Sequence, residues 1–491
     1  MSLRLKSARG SVILILSEGV AFASSLIRNM ILARLLTKAD FGIAATLSMI
    51  IGLLELSAKM GVARFLVRDR CGNDTNCVAT AHLVQFSVAL VSAAVMAVAA
   101  WPLAHLFGIP GHFLGVIALS LVALFRGCEH MDVRRYEREF RFGPSSIVEV
   151  IPLTLITLAA WPVAKWLQDY RAVLALLLTK ALLSCAASHW LAERPYTWQV
   201  HREHMINILR FGWPLVINGF MMFGVFQGEQ FLVATFYSMA DLAPYAAAAT
   251  LGLAPAFFLG RVLNPVVLPL LAKAQDDAGL FRRRYSQTVS VIALFGAVSG
   301  VGLLVGAEAL MRLLYGEKYA GAGIILACLA AAGSVRIVRT ATSLAALAKG
   351  DSQNEMWSNG SRLMGLLPAV FFALQHQPVW LVACTGLLGE ALACAVAIFR
   401  LRRRDNIPLL TTLVPLGWVV ASISIAATVA WHGAHHWPMG WSLFVAGTFA
   451  SASGGAIVAS LPELRREIVT LWSGFRTAGW RALPAIMPRR Q

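Results

Sequence analysis

Apolar residues run in stretches of about 20 along the whole chain, divided by short polar segments. A helix of that length rises about 30 Å, the thickness of a hydrocarbon core. The pattern therefore predicts an all-α polytopic membrane protein with about 14 transmembrane helices. The spans fall at 11–34, 41–64, 78–104, 113–129, 146–166 and 171–192, then at 211–236, 244–271, 287–314, 320–346, 356–375 and 379–400. Two more follow at 408–431 and 439–461. The expected organisation is an N-terminal six-helix bundle (1–192), a cytoplasmic amphipathic linker (193–210) and a C-terminal six-helix bundle (211–400). Two additional transmembrane helices (401–461) and a basic amphipathic cytoplasmic tail (462–491) complete it. An outer-membrane barrel would show alternating segments of about ten residues instead.

Composition agrees. Hydrophobic residues make up 58% of the 491 and charged residues 14%, with a mean hydropathy of +0.68. A soluble core stops growing at about 250–300 residues and cannot hide so much apolar surface; a disordered chain is excluded because the sequence is too apolar. Arg4, Lys6 and Arg9 precede the first apolar stretch, and Ala21-Phe22-Ala23 resembles a signal-peptidase site. Apolar character continues past it to Leu36 and Glu18 interrupts it, so the stretch reads as a retained first membrane helix.

The net charge of +17 would suggest nucleic acid in a soluble protein. Here the cations sort by side. With the N-terminus cytoplasmic, 29 of the 42 Lys+Arg fall on the cytoplasmic side. Six fall opposite: Arg34, Lys38, Lys165, Arg171, Arg312 and Lys318. That bias predicts both termini on the cytoplasmic side of the membrane, with anionic lipid and not nucleic acid facing the basic loops. Cys71 and Cys77 then share a cytoplasmic loop and are expected as thiols. The seven cysteines form no CxxC pair and no Cys/His cluster with metal spacing, so no metal or cofactor is expected. Loops are short, and neither GxxxxGK[ST] nor HExxH occurs.

An internal repeat is visible at an offset of 201. Residues 32–41 end the first span and residues 233–242 end the seventh. Both carry Ala-Asp followed by an apolar residue, with a hydroxyl three residues before the Asp. Six helices separate the copies, so the halves share an orientation. The linker carries Trp198, Met205, Ile208 and Leu209 on one helical face, and the tail carries Leu464, Ile468, Leu471, Trp472 and Phe475. Both read as interfacial helices on the cytoplasmic leaflet.

Ionisable groups inside spans are costly unless they meet a cavity or a partner, so they mark candidate function. The basic set is Arg28, Lys59, Lys180, Arg261, Arg336, Arg339 and Arg362; the acidic set includes Glu18, Glu55, Glu149, Glu229 and Glu390. Arg362, Lys180 and Glu149 lie near expected span ends, where they can snorkel. On the first span Ser17, Ser24 and Arg28 share one stripe, and Glu18, Ser25 and Asn29 the stripe beside it. That face either lines a water-filled cavity or packs against another polar helix. Glu55 and Lys59 are i,i+4 neighbours able to pair locally. Arg336 and Arg339 face the same way and need an anion or a carboxylate between them. Arg261 precedes Asn264-Pro265, where proline can break the helix ladder. The repeat offset pairs Arg28 with Glu229, which suggests a central ion pair. Arginine forks suit phosphate oxygens, so the cations together point to a diphosphate whose lipid tail stays in the bilayer.

The stretch Ile31-Leu32-Ala33-Arg34-Leu35-Leu36-Thr37-Lys38-Ala39-Asp40-Phe41-Gly42 resembles the first turn of bacterial polysaccharide exporters, near A-R-x-L-[TS]-x-x-[DE]-[FY]-G. Residues 55–62 resemble the end of that family's second span, although Lys59-Met60-Gly61 departs from its Asp-x-Gly pattern. The motif covers about 40 positions and the architecture covers the chain. The family belongs with the multidrug/oligosaccharidyl-lipid/polysaccharide exporters and is similar to O-antigen-repeat flippases. The resemblance implies alternating-access flipping of an undecaprenyl-diphosphate-linked oligosaccharide in the inner membrane, with a polysaccharide polymerase as a candidate further partner. Murein-precursor flippases of the superfamily use cavity arginines on spans one, two and eight. The resemblance therefore implies headgroup roles for Arg28 and Arg261, with Lys59 a looser match. Arg336 and Arg339 complete the candidate substrate-binding set; Glu18, Glu229 and Asn29 are candidates for gating or ion coupling. Two other readings compete. A cation-coupled multidrug exporter would use Glu18 or Glu229. A membrane polysaccharide polymerase or ligase would need a long periplasmic loop, and none is present.

Overall fold

Each half of the chain restarts after its first span with the same turn, and the computed structural model shows how. Thr37 Oγ1 accepts the Asp40 N–H at 3.1 Å and donates back to the Asp40 carboxylate. Ser238 Oγ accepts the Asp241 N–H at 3.2 Å and donates to Asp241 Oδ2 at 2.6 Å. In each turn the hydroxyl satisfies one N–H that a helix start leaves open, and the carboxylate three residues later fixes the hydroxyl. The two turns also meet. Gly42 packs against the Met239 backbone, and Thr46 Oγ1 lies 3.5 Å from Met239 Sδ.

The structure describes residues 3–58, 61–139, 141–433, 437–461 and 465; the side chains of 3–15, 56–58, 70, 262, 264 and 265 are outside that description. The helices are α1 (Leu3–Leu35), α2 (Lys38–Ala58), α3 (Val62–Arg68), α4 (Thr75–Leu106), α5 (Phe113–Gly127) and α6 (Val133–Arg138). Next come α7 (Gly143–Leu167), α8 (Arg171–Trp190), α9 (Arg202–Phe236), α10 (Met239–Gly252), α11 (Ala254–Ala272), α12 (Ala278–Val305) and α13 (Ala307–Tyr315). The remaining described helices are α14 (Gly323–Ala348), α15 (Gln353–Leu363), α16 (Leu366–Leu374), α17 (Val379–Asp405), α18 (Leu410–Gly433) and α19 (Met439–Ser460).

Among the described residues, 11 helices are long and apolar enough to cross a membrane. The expected spans without a counterpart among them are the first, second and eleventh. α1 and α2 stand at the first two, and α15 and α16, interrupted at Met364–Gly365, stand at the third. The all-α polytopic architecture of about 14 membrane helices holds.

Two compact units are present. The first comprises Met1–Ala254, Met311–Leu329 and Asn359–Gly389. In it α1 runs along α7, α4 along α5, and α2 along α10. The second comprises Pro255–Leu310, Ala330–Ser358 and Glu390–Gln491. There α12 is packed by α18 and α19. Tyr285 of α12 is fully buried, and its hydroxyl lies 3.3 Å from Thr342 Oγ1 and against Thr412 Oγ1. Such a partner offsets the 1–3 kcal/mol that an unmade buried hydrogen bond costs, by about that order.

Two expectations on local structure are corrected. The linker is not a separate interfacial helix. Residues 193–201 lack helix and α9 begins at Arg202, so its second half is the start of a membrane helix. Met205 and Ile208 pack on Val62, Phe65, Leu66 and Val78, and Trp198 stacks on Phe86 with ring centroids 4.8 Å apart. Protein covers Ile208 and part of Met205, while Trp198 and Leu209 of the same face stay exposed. The break in the eighth span falls at Leu253, between α10 and α11, and not at Pro265, through which α11 continues. The tail, apart from Arg465, lies outside the described residues.

Candidate functional site

The charges expected inside the membrane are gathered into clusters. In the second unit, Arg336 and Arg339 sit one turn apart on α14, both buried, with Glu390 of α17 between them. Arg336 Nε and Nη2 approach Glu390 Oε1 at 2.8 and 2.7 Å, and Arg339 Nε approaches Oε2 at 3.2 Å. Arg339 Nη1 donates to Ser358 Oγ at 2.9 Å, and Ser358 Oγ donates to Ala393 O at 3.1 Å. The guanidinium of Arg336 lies 5.7 Å from the centroid of Phe257. One carboxylate thus answers the repulsion of two like charges, each oxygen serving a different arginine. Sequence left substrate anion or carboxylate open at this place; the structure has the carboxylate.

In the first unit Glu229 of α9 is buried. Arg362 Nη2 of α15 lies 3.5 Å from Glu229 Oε1, and Tyr245 OH of α10 donates to Oε2 at 3.3 Å. Gly386 of α17 leaves room: a Cβ there would stand 3.0 Å from Glu229 Oε1. Arg362 is 4% exposed, so it does not snorkel as its place near a span end suggested. It is the participant that sequence reasoning undervalued. The signal was its distance from the span start, six residues inside 356–375. The expected Arg28–Glu229 pair does not form; Arg362 holds that carboxylate.

Along α1 the polar stripe partly packs against other helices. Ser17 Oγ lies 2.9 Å from Ser146 Oγ, Thr157 Oγ1 donates to Ser24 O at 3.2 Å, and Asn29 Nδ2 donates to Thr250 Oγ1 at 3.4 Å. Arg28 differs. Its Nη2 donates to Ser25 Oγ at 3.3 Å, one turn back on the same helix, whereas Nη1 is buried without a hydrogen-bond acceptor among the described residues. A buried charged donor without an acceptor is costly and invites an anion.

The other candidates are placed as follows. Arg261 projects from α11 and is exposed, and Glu18 is half-buried on α1. Lys59 lies outside the described residues, so its local pair with Glu55 does too. Glu55 meets Arg126 at 2.7 Å.

At the first turns of α4 and α9 and the 3-10 turn before α4, three residues form a set with metal-ligating chemistry. Cys71, Cys77 and His204 bring one ligand atom each within 4.8 Å of one another. The sulfurs of Cys71 and Cys77 are joined, with Cα atoms 5.9 Å apart, where the sequence reading expected two thiols. No spacing rule could reveal His204, because four membrane helices intervene between it and Cys71. A second disulfide joins Cys328 of α14 to Cys384 of α17, with Cα atoms 5.0 Å apart.

Comparison with known proteins follows from this fold. A family described as "Polysaccharide biosynthesis protein" matches residues 31–323, more than half of the chain. The chain belongs to the polysaccharide biosynthesis protein family. It is 21% identical over 382 residues to the lipopolysaccharide biosynthesis protein WzxC of Escherichia coli K12, covering 75% of either chain. It is 23% identical over 322 residues to the succinoglycan biosynthesis transport protein ExoT of Rhizobium meliloti, covering 64% of either chain. Its fold matches the lipid II flippase MurJ in an inward closed conformation with a TM-score of 0.73, at 11% identity, over 93% of this chain and 100% of that one. An inward-facing MATE-family multidrug transporter of the MOP superfamily matches with a TM-score of 0.62, at 14% identity, over 83% of this chain and 96% of that one. The resemblance to bacterial polysaccharide exporters, read from residues 31–42, is borne out at the level of the family. This family member is a multi-pass membrane protein and a transporter.

Proposed function

We propose that the protein flips an undecaprenyl-diphosphate-linked oligosaccharide across the bacterial inner membrane by alternating access, with both termini cytoplasmic. The observation that carries this reading is Arg28: a cation within a membrane helix, with one donor nitrogen buried and without an acceptor among the described residues. A diphosphate oxygen supplies the missing acceptor while the polyprenyl tail stays in lipid. Exposed Arg261 is proposed as a second contact, with Lys59 at the edge of the set. Arg336 and Arg339 enter as a reserve, since a phosphate must displace Glu390 to reach them. Glu18, Glu229 and Asn29 are proposed for gating. The halves 1–192 and 211–400 are proposed as the moving bundles, with 401–461 accompanying the second. WzxC, ExoT and MurJ, whose descriptions name polysaccharide biosynthesis, transport and lipid flipping, support this reading over drug export.

The test is leaflet accessibility of an undecaprenyl-diphosphate oligosaccharide in proteoliposomes. Protein-dependent appearance of sugar on the far leaflet is expected, with Arg28→Ala losing at least about tenfold in rate, the loss of one charge-assisted contact. Full transport by both Arg28→Ala and Arg261→Ala would sink the diphosphate assignment.

A further inference from the structure

Cys71 belongs to the 3-10 turn Arg70–Asn73, Cys77 to the first turn of α4, and His204 to the first turn of α9. The turn that carries the cysteines is tightly built. Asp69 Oδ1 accepts the Cys71 N–H at 3.1 Å, and Cys71 O accepts the Asp74 N–H at 2.7 Å. Arg194 Nη1 donates to Asn73 O at 2.9 Å, tying the linker to the same turn. Asp74 caps α4 through Oδ1, which accepts the Asn76 N–H at 3.2 Å, and sets Oδ2 3.5 Å from His204 Nε2. Cys77 is fully buried beside Val62, Phe65, Leu66 and Ile208, an apolar wall on one side of the sulfurs.

We propose that in the dithiol state Cys71, Cys77 and His204 bind one soft divalent cation of the zinc type, with the Asp74 carboxylate orienting the imidazole. Two thiolates and one imidazole select zinc-like ions over magnesium or calcium. A tetrahedral ion with metal–sulfur bonds of about 2.3 Å and a metal–nitrogen bond of about 2.0–2.1 Å needs ligand atoms roughly 3.5–3.8 Å apart. Freed of their mutual bond, the sulfurs move apart toward that spacing, and the 4.8 Å limit of the set closes by about 1 Å. Binding releases the two thiol protons, one from each cysteine, so affinity falls as pH falls. The fourth position is left to water. An ion held here clamps the start of α9, the first membrane helix after the linker, to the 69–77 turn. Arg64, Arg68 and Arg70 lie beside the cysteines in sequence, and their number puts this segment on the side expected to be cytoplasmic, where thiols persist.

The experiment is cobalt titration of the full-length, detergent-solubilised, reduced protein under anaerobic conditions, followed by displacement with zinc chloride. Wild type is expected to take up one cobalt per chain with a thiolate-to-metal charge-transfer band that zinc abolishes. The Cys71→Ser/Cys77→Ser variant should lose the band. His204→Ala should alter the tetrahedral d–d spectrum and weaken binding, and Asp74→Asn should weaken it by about 10–100-fold. Should the double serine variant aggregate, alkylation of the folded wild-type thiols gives the same readout. A reduced wild type without a band overturns the proposal, and so does an unchanged spectrum and affinity in His204→Ala. Thiol counting that finds the Cys71–Cys77 pair still joined after reductant overturns it as well.

Discussion

Gly42 lies against the backbone of Met239, so closely that a Cβ on Gly42 would overlap the Met239 carbonyl. Met239 is the second residue of the Ser238 turn, and Gly42 follows the matching Thr37 turn by two residues beyond its Asp40. The two repeat copies therefore touch each other where their second helices begin. Gly42→Ala should force α2 and α10 apart at a cost of about 1–3 kcal/mol. Thermal melting of the solubilised protein followed by size exclusion reads this as a lower midpoint. An unchanged midpoint would show that the contact relaxes without cost.

Arg362 and Glu229 form a buried pair in the first unit. Breaking a buried pair by removing one partner costs about 3–5 kcal/mol. Arg362→Gln is expected to destabilise by that order, and Glu229→Gln combined with it should restore part of the loss. A double-mutant cycle on thermal stability checks this; strictly additive losses would mean that the pair does not couple.

Glu390 serves two arginines, and this makes its neighbours unequal. Glu390→Gln leaves Arg336 and Arg339 facing each other, and a loss of about 3–5 kcal/mol is expected. Arg339→Gln leaves the closer Arg336–Glu390 pair intact and should cost less. The ranking of the two midpoints is the measurement, and the reverse order would contradict the arrangement.

His130 lies in the loop between α5 and α6, buried among His82, His189, Tyr196 and Asp132. Burial lowers its pKa below the ordinary 6.5; the neighbouring His189 adds to that, and Asp132 and a backbone hydrogen bond with Arg194 oppose it. Nδ1 accepts the Asp132 N–H at 3.1 Å, which only an unprotonated nitrogen can do. At pH above about 6.5 neither folded nor unfolded chain protonates this group, so it adds no pH dependence. As pH falls through 6.5 the unfolded chain takes up the proton first, and stability declines. Melting midpoints from pH 8 to pH 5 should fall for wild type, with a shallower slope for His130→Asn.

Residue order alone determined that this is a helical membrane protein, how many spans it has, and where its second helices start. Those features rest on local physics: runs of about 20 apolar residues, and a hydroxyl three positions before a carboxylate. The resemblance at residues 31–42 was likewise legible, because it is contiguous. Partner choice was not legible. Glu229 meets Arg362, although Arg28 was its counterpart in the repeat register, and no sequence spacing announced that Arg126 meets Glu55. Which carboxylate answers which arginine depends on how helices rotate and tilt when packed, and that is set by side-chain volume across distant segments. The linker shows the same limit. Its apolar face was correctly seen, but Met205 and Ile208 pack on the α3–α4 segment, whereas Trp198 and Leu209 stay exposed. The meeting of His204 with Cys71 and Cys77 was likewise decided only by the tertiary fold. A one-dimensional pattern records that a face must be covered and a charge must be answered. Only the packed structure decides by what, because the covering group comes from wherever the fold brings the chain back.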